Sequence, residues 1–115
     1  METIKENYVF KRAYGKGKKQ AGKYIVVYGL KRKSGVRLGI TVSKKIGKAV
    51  VRNKLRRQIR ESFRYLEPFI KDGADLVFVA RSAAVHAGFD GIFYAMRKQL
   101  AEGGFLSEEA AHYPY

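Results

Sequence analysis

The 115 residues predict one domain of mixed helices and strands in the order α-β-β-α-β-α, and three observations carry that expectation. The length leaves room for a single core, and 46% hydrophobic residues, with seven Phe and eight Tyr among them, suffice to build it. Apolar residues recur at two periods: in short branched or alternating runs, and three or four apart over longer segments. Gly15, Gly17, Gly35, Pro68, the pair Asp72-Gly73 and the pair Gly103-Gly104 fall at the joints between those segments.

Glu6 to Tyr14 reads as a short amphipathic helix with Tyr8, Phe10 and Tyr14 as its large residues, stopped by Gly15 and Gly17. A polar, lysine-rich link follows through Gln20. Lys23 to Leu30 is rich in branched and aromatic residues and predicts a strand; Lys31 to Gly35 predicts a turn, and Val36 to Val42 the returning strand of a hairpin. Ser43 to Lys48 is a basic loop feeding a helix from about Val50 to Leu66, which Pro68 closes. Ala74 to Ala80 has too little polar alternation for a wet edge, so it is expected in the middle of the sheet, covered on both faces. Phe89 to about Ala101 predicts a last helix with Ile92, Phe93, Met96 and Leu100 on one stripe. The ordered core is expected over residues 5–102 and a flexible tail over residues 103–115.

Charge is the most uneven property of the chain. The formal net charge is +14, and the 54 residues from Asn7 to Arg60 contain 18 Lys or Arg and neither Asp nor Glu. Such a surface repels itself unless a polyanion neutralises it, so nucleic acid is the expected partner. On a helical wheel Val51, Leu55, Ile59, Phe63 and Leu66 share a sector of about 120°, while Asn53, Arg57, Arg60 and Arg64 share an opposite sector of about 60°. One face packs and the other binds. The charged stripe runs about 16 Å at the helical rise, and arginine's planar fork suits phosphate oxygens two to two. A merely solvated face normally mixes signs, whereas Glu61 is the only acid among nine basic residues from Lys44 to Arg64.

Other chemistry finds little support. Metal-dependent nucleases need several converging carboxylates, and Asp72, Asp75 and Asp90 read first as turn or helix-capping residues. His86 and His112 lie far apart without acids at ligand spacing, and Gly15-Lys16-Gly17-Lys18 lacks the rest of a phosphate-binding loop. No catalytic residue and no metal ligand is therefore expected in the polypeptide. Phe10, Tyr14 and Tyr28 fit either an ordinary core or an open sheet face that stacks on unpaired bases, which favours RNA over duplex DNA as partner. With no cysteine, no apolar run near the roughly 20 residues that span a bilayer and no signal-like start, a cytoplasmic protein without a membrane partner is expected.

The stretch Arg37-Leu38-Gly39-Ile40-Thr41-Val42-Ser43-Lys44-Lys45-Ile46-Gly47-Lys48-Ala49-Val50-Val51-Arg52-Asn53-Lys54-Leu55-Arg56-Arg57-Gln58-Ile59-Arg60 closely resembles the signature of the bacterial ribonuclease P protein subunit. The likeness extends to the spacing of Phe10, Tyr14, Gly17 and Tyr28 and covers roughly residues 5 to 102; Lys54 departs from the arginine common there and gives up its fork. The resemblance implies an α+β domain with a central mixed sheet that leaves room for one extra short strand, and a basic helix making a left-handed crossover, against the usual right-handed rule. It implies a catalytic RNA subunit and precursor tRNA as partners, with magnesium held by the RNA and substrate while the ribonucleoprotein removes the 5′ leader. Lys44, Lys45, Lys48, Arg52, Asn53, Lys54, Arg56, Arg57, Arg60 and Arg64 would then face the catalytic RNA, and Phe10, Tyr14 and Tyr28 the single-stranded leader. The other reading of the same residues is a structural RNA-binding protein of ribosomal type, without a processing role.

Overall fold

The structure, a computed structural model, describes residues 2–107. Among these residues the strands are β1 (Glu2–Thr3), β2 (Lys18–Ala21), β3 (Ile25–Arg32), β4 (Val36–Thr41) and β5 (Gly73–Ala80). The helices are α1 (Asn7–Lys16), α2 (Ala49–Leu66) and α3 (Gly88–Glu102). All strands join one sheet in the order β1-β4-β5-β3-β2. β5 is antiparallel to β3 and parallel to β4, so the domain is α+β with a mixed sheet and α2 is the crossover between parallel neighbours.

The sheet departs from the expected order in one decisive respect. Residues Val36–Thr41 do not return along Ile25–Arg32 as a hairpin, because β5 lies between them. A strand buried on both faces must also satisfy backbone groups along both edges, and only a central position supplies two neighbours. The lysine-rich link is likewise a strand: β2 pairs Lys18–Ala21 with Gly29–Val26 at the sheet's edge, where exposed lysines discourage further pairing. At the opposite edge the short β1 pairs with Arg37 and Leu38 of β4.

Two cores follow from the alternation of the strands. On one face Leu55, Ile59, Phe63 and Leu66 of α2 and Ile92, Phe93, Met96 and Leu100 of α3 pack on Ile25, Val27, Leu38, Leu76 and Phe78. The Phe63 and Phe78 rings meet at 5.6 Å. The ordered chain continues past residue 102, contrary to the expected tail. Phe105 is 2% exposed, its carbonyl accepts from Lys71 N at 2.9 Å, and Ser107 N donates to Phe69 O at 2.8 Å. Gly29 makes room for this segment, since any Cβ there would run into the Phe105 ring. Residues 108–115 lie outside the described residues. No helix among the described residues is long and apolar enough to cross a membrane.

On the other face α1 lays Val9 and Ala13 over Val77, with Ile4 beside them. A buried ion cluster ties this layer down. Asp75, 1% exposed, accepts from Arg37 Nε at 2.6 Å and Arg37 Nη2 at 2.7 Å, from Arg12 Nη2 of α1 at 3.4 Å, and pairs with Arg32 of β3 at 3.8 Å. Asp75 is thus neither a turn nor a capping residue; the parallel register sets it directly beside Arg37. Burial pushes its carboxyl up, but the Arg37 hydrogen bonds and the charges of Arg37, Arg32 and Arg12 outweigh burial and hold it below its ordinary value near 3.8. The folded state therefore binds the proton less tightly than the unfolded chain. The resulting stabilisation is complete above the ordinary carboxylate range and is lost as pH falls through the lower folded value. Asp75→Asn should cost about 3 kcal/mol at neutral pH, the low end for a buried pair because Arg12 and Arg32 stay partly solvated. Urea unfolding across a pH series checks this, with the gap between variant and wild type narrowing in acid.

Candidate nucleic-acid interface

The basic helix presents the surface its periodicity predicts. Asn53, Lys54, Arg57, Arg60 and Arg64 are exposed along α2, and Lys44, Lys45 and Lys48 are exposed on the segment before it. Arg52 and Arg56 are half-buried; Arg52 falls within the apolar sector of the wheel, and its Nε is buried without a hydrogen-bond partner. Arg56 Nη1 donates to Asn53 Oδ1 at 3.2 Å, joining two neighbouring turns. Arg64 is partly neutralised by Glu61 at 3.4 Å. The first turn of α2 contains no acid and no side-chain cap, so its free amides add to the positive potential.

The three aromatic residues come together on the α1 side of the sheet. The Tyr14 and Tyr28 rings stand 5.0 Å apart, edge to face, and Phe10 and Tyr14 are 6.3 Å apart. Tyr14 is 41% exposed and the other two are half-buried. The rings combine features of both readings: Phe10 and Tyr28 pack partly against the Val9 and Ala13 core, while Tyr14 stays open to solvent. The row of rings is held at its middle and at its Tyr28 end. Tyr14 Oη and Thr41 Oγ1 share a hydrogen bond at 2.9 Å, and Lys19 Nζ of β2 sits 5.8 Å from the Tyr28 ring centre. Beside the row, the register sets Thr41 next to Val79 and Val79 next to Val26, giving a flat floor for planar groups.

The stripe and the row meet where β1 stops. Phe10 lines a groove of about 230 Å³ together with Thr3, Ile4, Leu38, Ile40 and the α2 residues Arg56 and Arg60. Cationic and aromatic groups thus form one continuous surface around the β4 edge, suited to a strand that offers phosphates and unpaired bases together. Sequence reasoning missed Arg12, Arg32, Arg37 and Asp75 as the support of α1. A signal existed only for Arg37, which alternation puts on the face opposite Leu38; its partner depends on strand pairing. His86 is exposed on the 3-10 turn Ser82–His86, and His112 lies outside the described residues. Asp72 occupies the turn before β5 with φ 56°, and Asp90 the first turn of α3. Among the described residues no group of three or more His, Cys, Asp or Glu converges to hold a metal ion.

The chain matches the protein-family model described as Ribonuclease P over residues 1–103. It is 48% identical over 98 residues to the ribonuclease P protein component of Thermoanaerobacter sp. strain X514, covering 84% of each chain. The solved ribonuclease P protein of Staphylococcus aureus is similar with a TM-score of 0.84 and 36% identity, covering 93% of this chain and 99% of that one. The protein from Thermotoga maritima is similar with a TM-score of 0.68 and 33% identity, covering 89% and 94%.

The geometry of the aromatic row can be tested without any ligand. A Cβ on Gly39 would lie 2.7 Å from Phe10 Cε1 and 2.9 Å from its Cζ, whereas one on Gly15 meets nothing within 4 Å. Gly39→Ala should therefore push the Phe10 ring aside at a cost of about 1 kcal/mol. NMR ring-current shifts at Tyr14 and Tyr28 would report it, and Gly15→Ala should leave those shifts in place.

Proposed function

The chain belongs to the ribonuclease P protein family, and on that premise we propose that it binds the catalytic RNA through α2 and the single-stranded 5′ leader of precursor tRNA through the aromatic row. Ribonuclease P cleaves precursor tRNA, and the protein component is the RNA-binding protein of that ribonucleoprotein. The observation that carries the finer reading is the meeting of the two surfaces at Phe10, Arg56 and Arg60. One bound RNA surface and one single strand can occupy them side by side.

In this reading Lys44, Lys45, Lys48, Arg52, Lys54, Arg56, Arg57, Arg60 and Arg64 neutralise phosphates of the catalytic RNA, and Asn53 offers an amide to a base edge or backbone group. Phe10, Tyr14 and Tyr28 stack on leader bases. Ribonuclease P is metal-dependent, and the donors among the described residues do not fit a magnesium site. Magnesium takes hard oxygen ligands in octahedral geometry, whereas Asp75 is enclosed by guanidinium groups. We assign the ions and the bond-breaking groups to the RNA subunit and the substrate. The protein contributes grip, charge neutralisation and alignment of the leader. Its compartment on this reading is the cytoplasm, where its RNA partners are made.

Reconstitution with the cognate RNA at low magnesium should give faster cleavage of precursor tRNA when the protein is added; equal rates with and without it would end this reading. Arg57→Ala combined with Arg60→Ala should weaken RNA binding and lower the slope of log affinity against log salt by about 1 per lost phosphate contact. Tyr28→Ala should weaken binding of leader-bearing substrate by about 1 to 3 kcal/mol. The same variant should leave affinity for leaderless tRNA unchanged, which a competition titration measures.

A further inference from the structure

One flank of α2 carries apolar rather than charged groups. Val50, in the first turn, is 76% exposed. It does not stand alone: Val50, Val51 and Leu55 face Val85 of the 3-10 turn Ser82–His86 across a groove of about 340 Å³, whose remaining walls are Lys54, Arg57 and Gln58. Single exposed aliphatic residues are ordinary on any surface. A concave apolar patch walled by cations, on the helix assigned to RNA, calls for an occupant.

We propose that this groove receives one unpaired nucleobase of the catalytic RNA, with Lys54 and Arg57 pairing to the phosphates beside it and Gln58 hydrogen-bonding the base edge. The proposal rests on the reading of α2 as the RNA-facing helix and adds a site that reads a base rather than a phosphate. Its volume lies near the small end of ligand pockets, at about 300 Å³, which suits one planar ring system with its sugar left outside. Recognition of RNA beyond its backbone works mainly through bases splayed out of the stack onto apolar or aromatic surfaces. The Gln58 amide offers both a donor and an acceptor, so it can meet the edge of any base.

Charge decides against other occupants. A second copy of this chain carries the same net charge of +14 and would be repelled. An apolar peptide would cover the valines but leave Lys54 and Arg57 desolvated without a counter-charge. A nucleotide supplies a flat uncharged ring for the floor and an anion for the rim.

The test measures affinity for the cognate catalytic RNA across a salt series for wild type, Val50→Ser, Val85→Phe and Arg57→Ala. Val50→Ser strips an exposed wall and leaves the core untouched, while Val85→Phe fills the groove. Each should weaken binding about tenfold with an unchanged salt slope, because an uncharged base releases no counterions. Arg57→Ala should lower the slope by about 1. Wild-type affinity in both valine variants overturns the groove assignment and leaves the RNA-facing reading of α2 standing; an unchanged slope in Arg57→Ala overturns that reading itself. A benzophenone side chain at position 50 gives an independent readout in the holoenzyme. Crosslinking to an unpaired nucleotide of the catalytic RNA supports the site, and crosslinking to paired nucleotides, to a second copy of the chain or to no RNA at all overturns it.

Discussion

The insertion of β5 between β3 and β4 is the constraint on which the rest of this structure depends. Buried on both faces, β5 needs hydrogen-bonding neighbours on both edges. Taking β4 as a parallel neighbour obliges the chain to cross over the sheet before it can return, and α2 is that crossover. The same pairing sets Arg37 beside Asp75 and Thr41 beside Val79, which fixes both the anchor under α1 and the floor next to Tyr14. The candidate surface is thus a consequence of strand order more than of any single residue.

A helix with this much unneutralised charge has to be stabilised from its other side. Leu55, Ile59, Phe63 and Leu66 are almost fully removed from water, and burial of such side chains is worth about 1.5 to 3 kcal/mol each. That apolar seam, shared with α3, lets Arg57 and Arg60 remain exposed while the neighbouring acid, Glu61, pairs with Arg64. On the opposite layer the logic is reversed. There one carboxylate, Asp75, is surrounded by three arginines and holds α1 by charge as well as by the small contact of Val9 and Ala13 with Val77. Phe10 and Tyr14, carried by so short a helix, depend on that anchor for their position beside Tyr28 of β3.

In the proposed reading the two faces of the sheet divide the work of recognition. Phosphate contacts give affinity but carry no sequence information, whereas stacked or inserted bases require an apolar or aromatic surface. The row Phe10, Tyr14 and Tyr28 supplies such a surface on one side of β4, and the valine groove beside α2 supplies a second on the other. Between them Arg56 and Arg60 border Phe10, so an RNA passing around this edge remains in contact with cations throughout.

Much of this was legible from residue order alone. The apolar and cationic sectors of α2, the buried stripe of α3 and the central position of Ala74 to Ala80 follow from local periodicity, because side-chain direction repeats every 3.6 residues in a helix and every 2 in a strand. The acid-free half announced a polyanionic partner for the same reason, since charge counts do not depend on the fold. Other features needed the assembled sheet. Lys18 to Ala21 has no apolar pattern of its own and became a strand because Val26 to Gly29 presented an open edge. Phe105 carries no local signal of docking because the site that receives it, opened by the missing side chain of Gly29, lies about 75 residues away in sequence, and Leu106 docks through a bridge to Ile70. Asp75 and its arginines are drawn from four separate elements, and a coupling of that kind exists only once long-range pairing brings them within hydrogen-bonding reach.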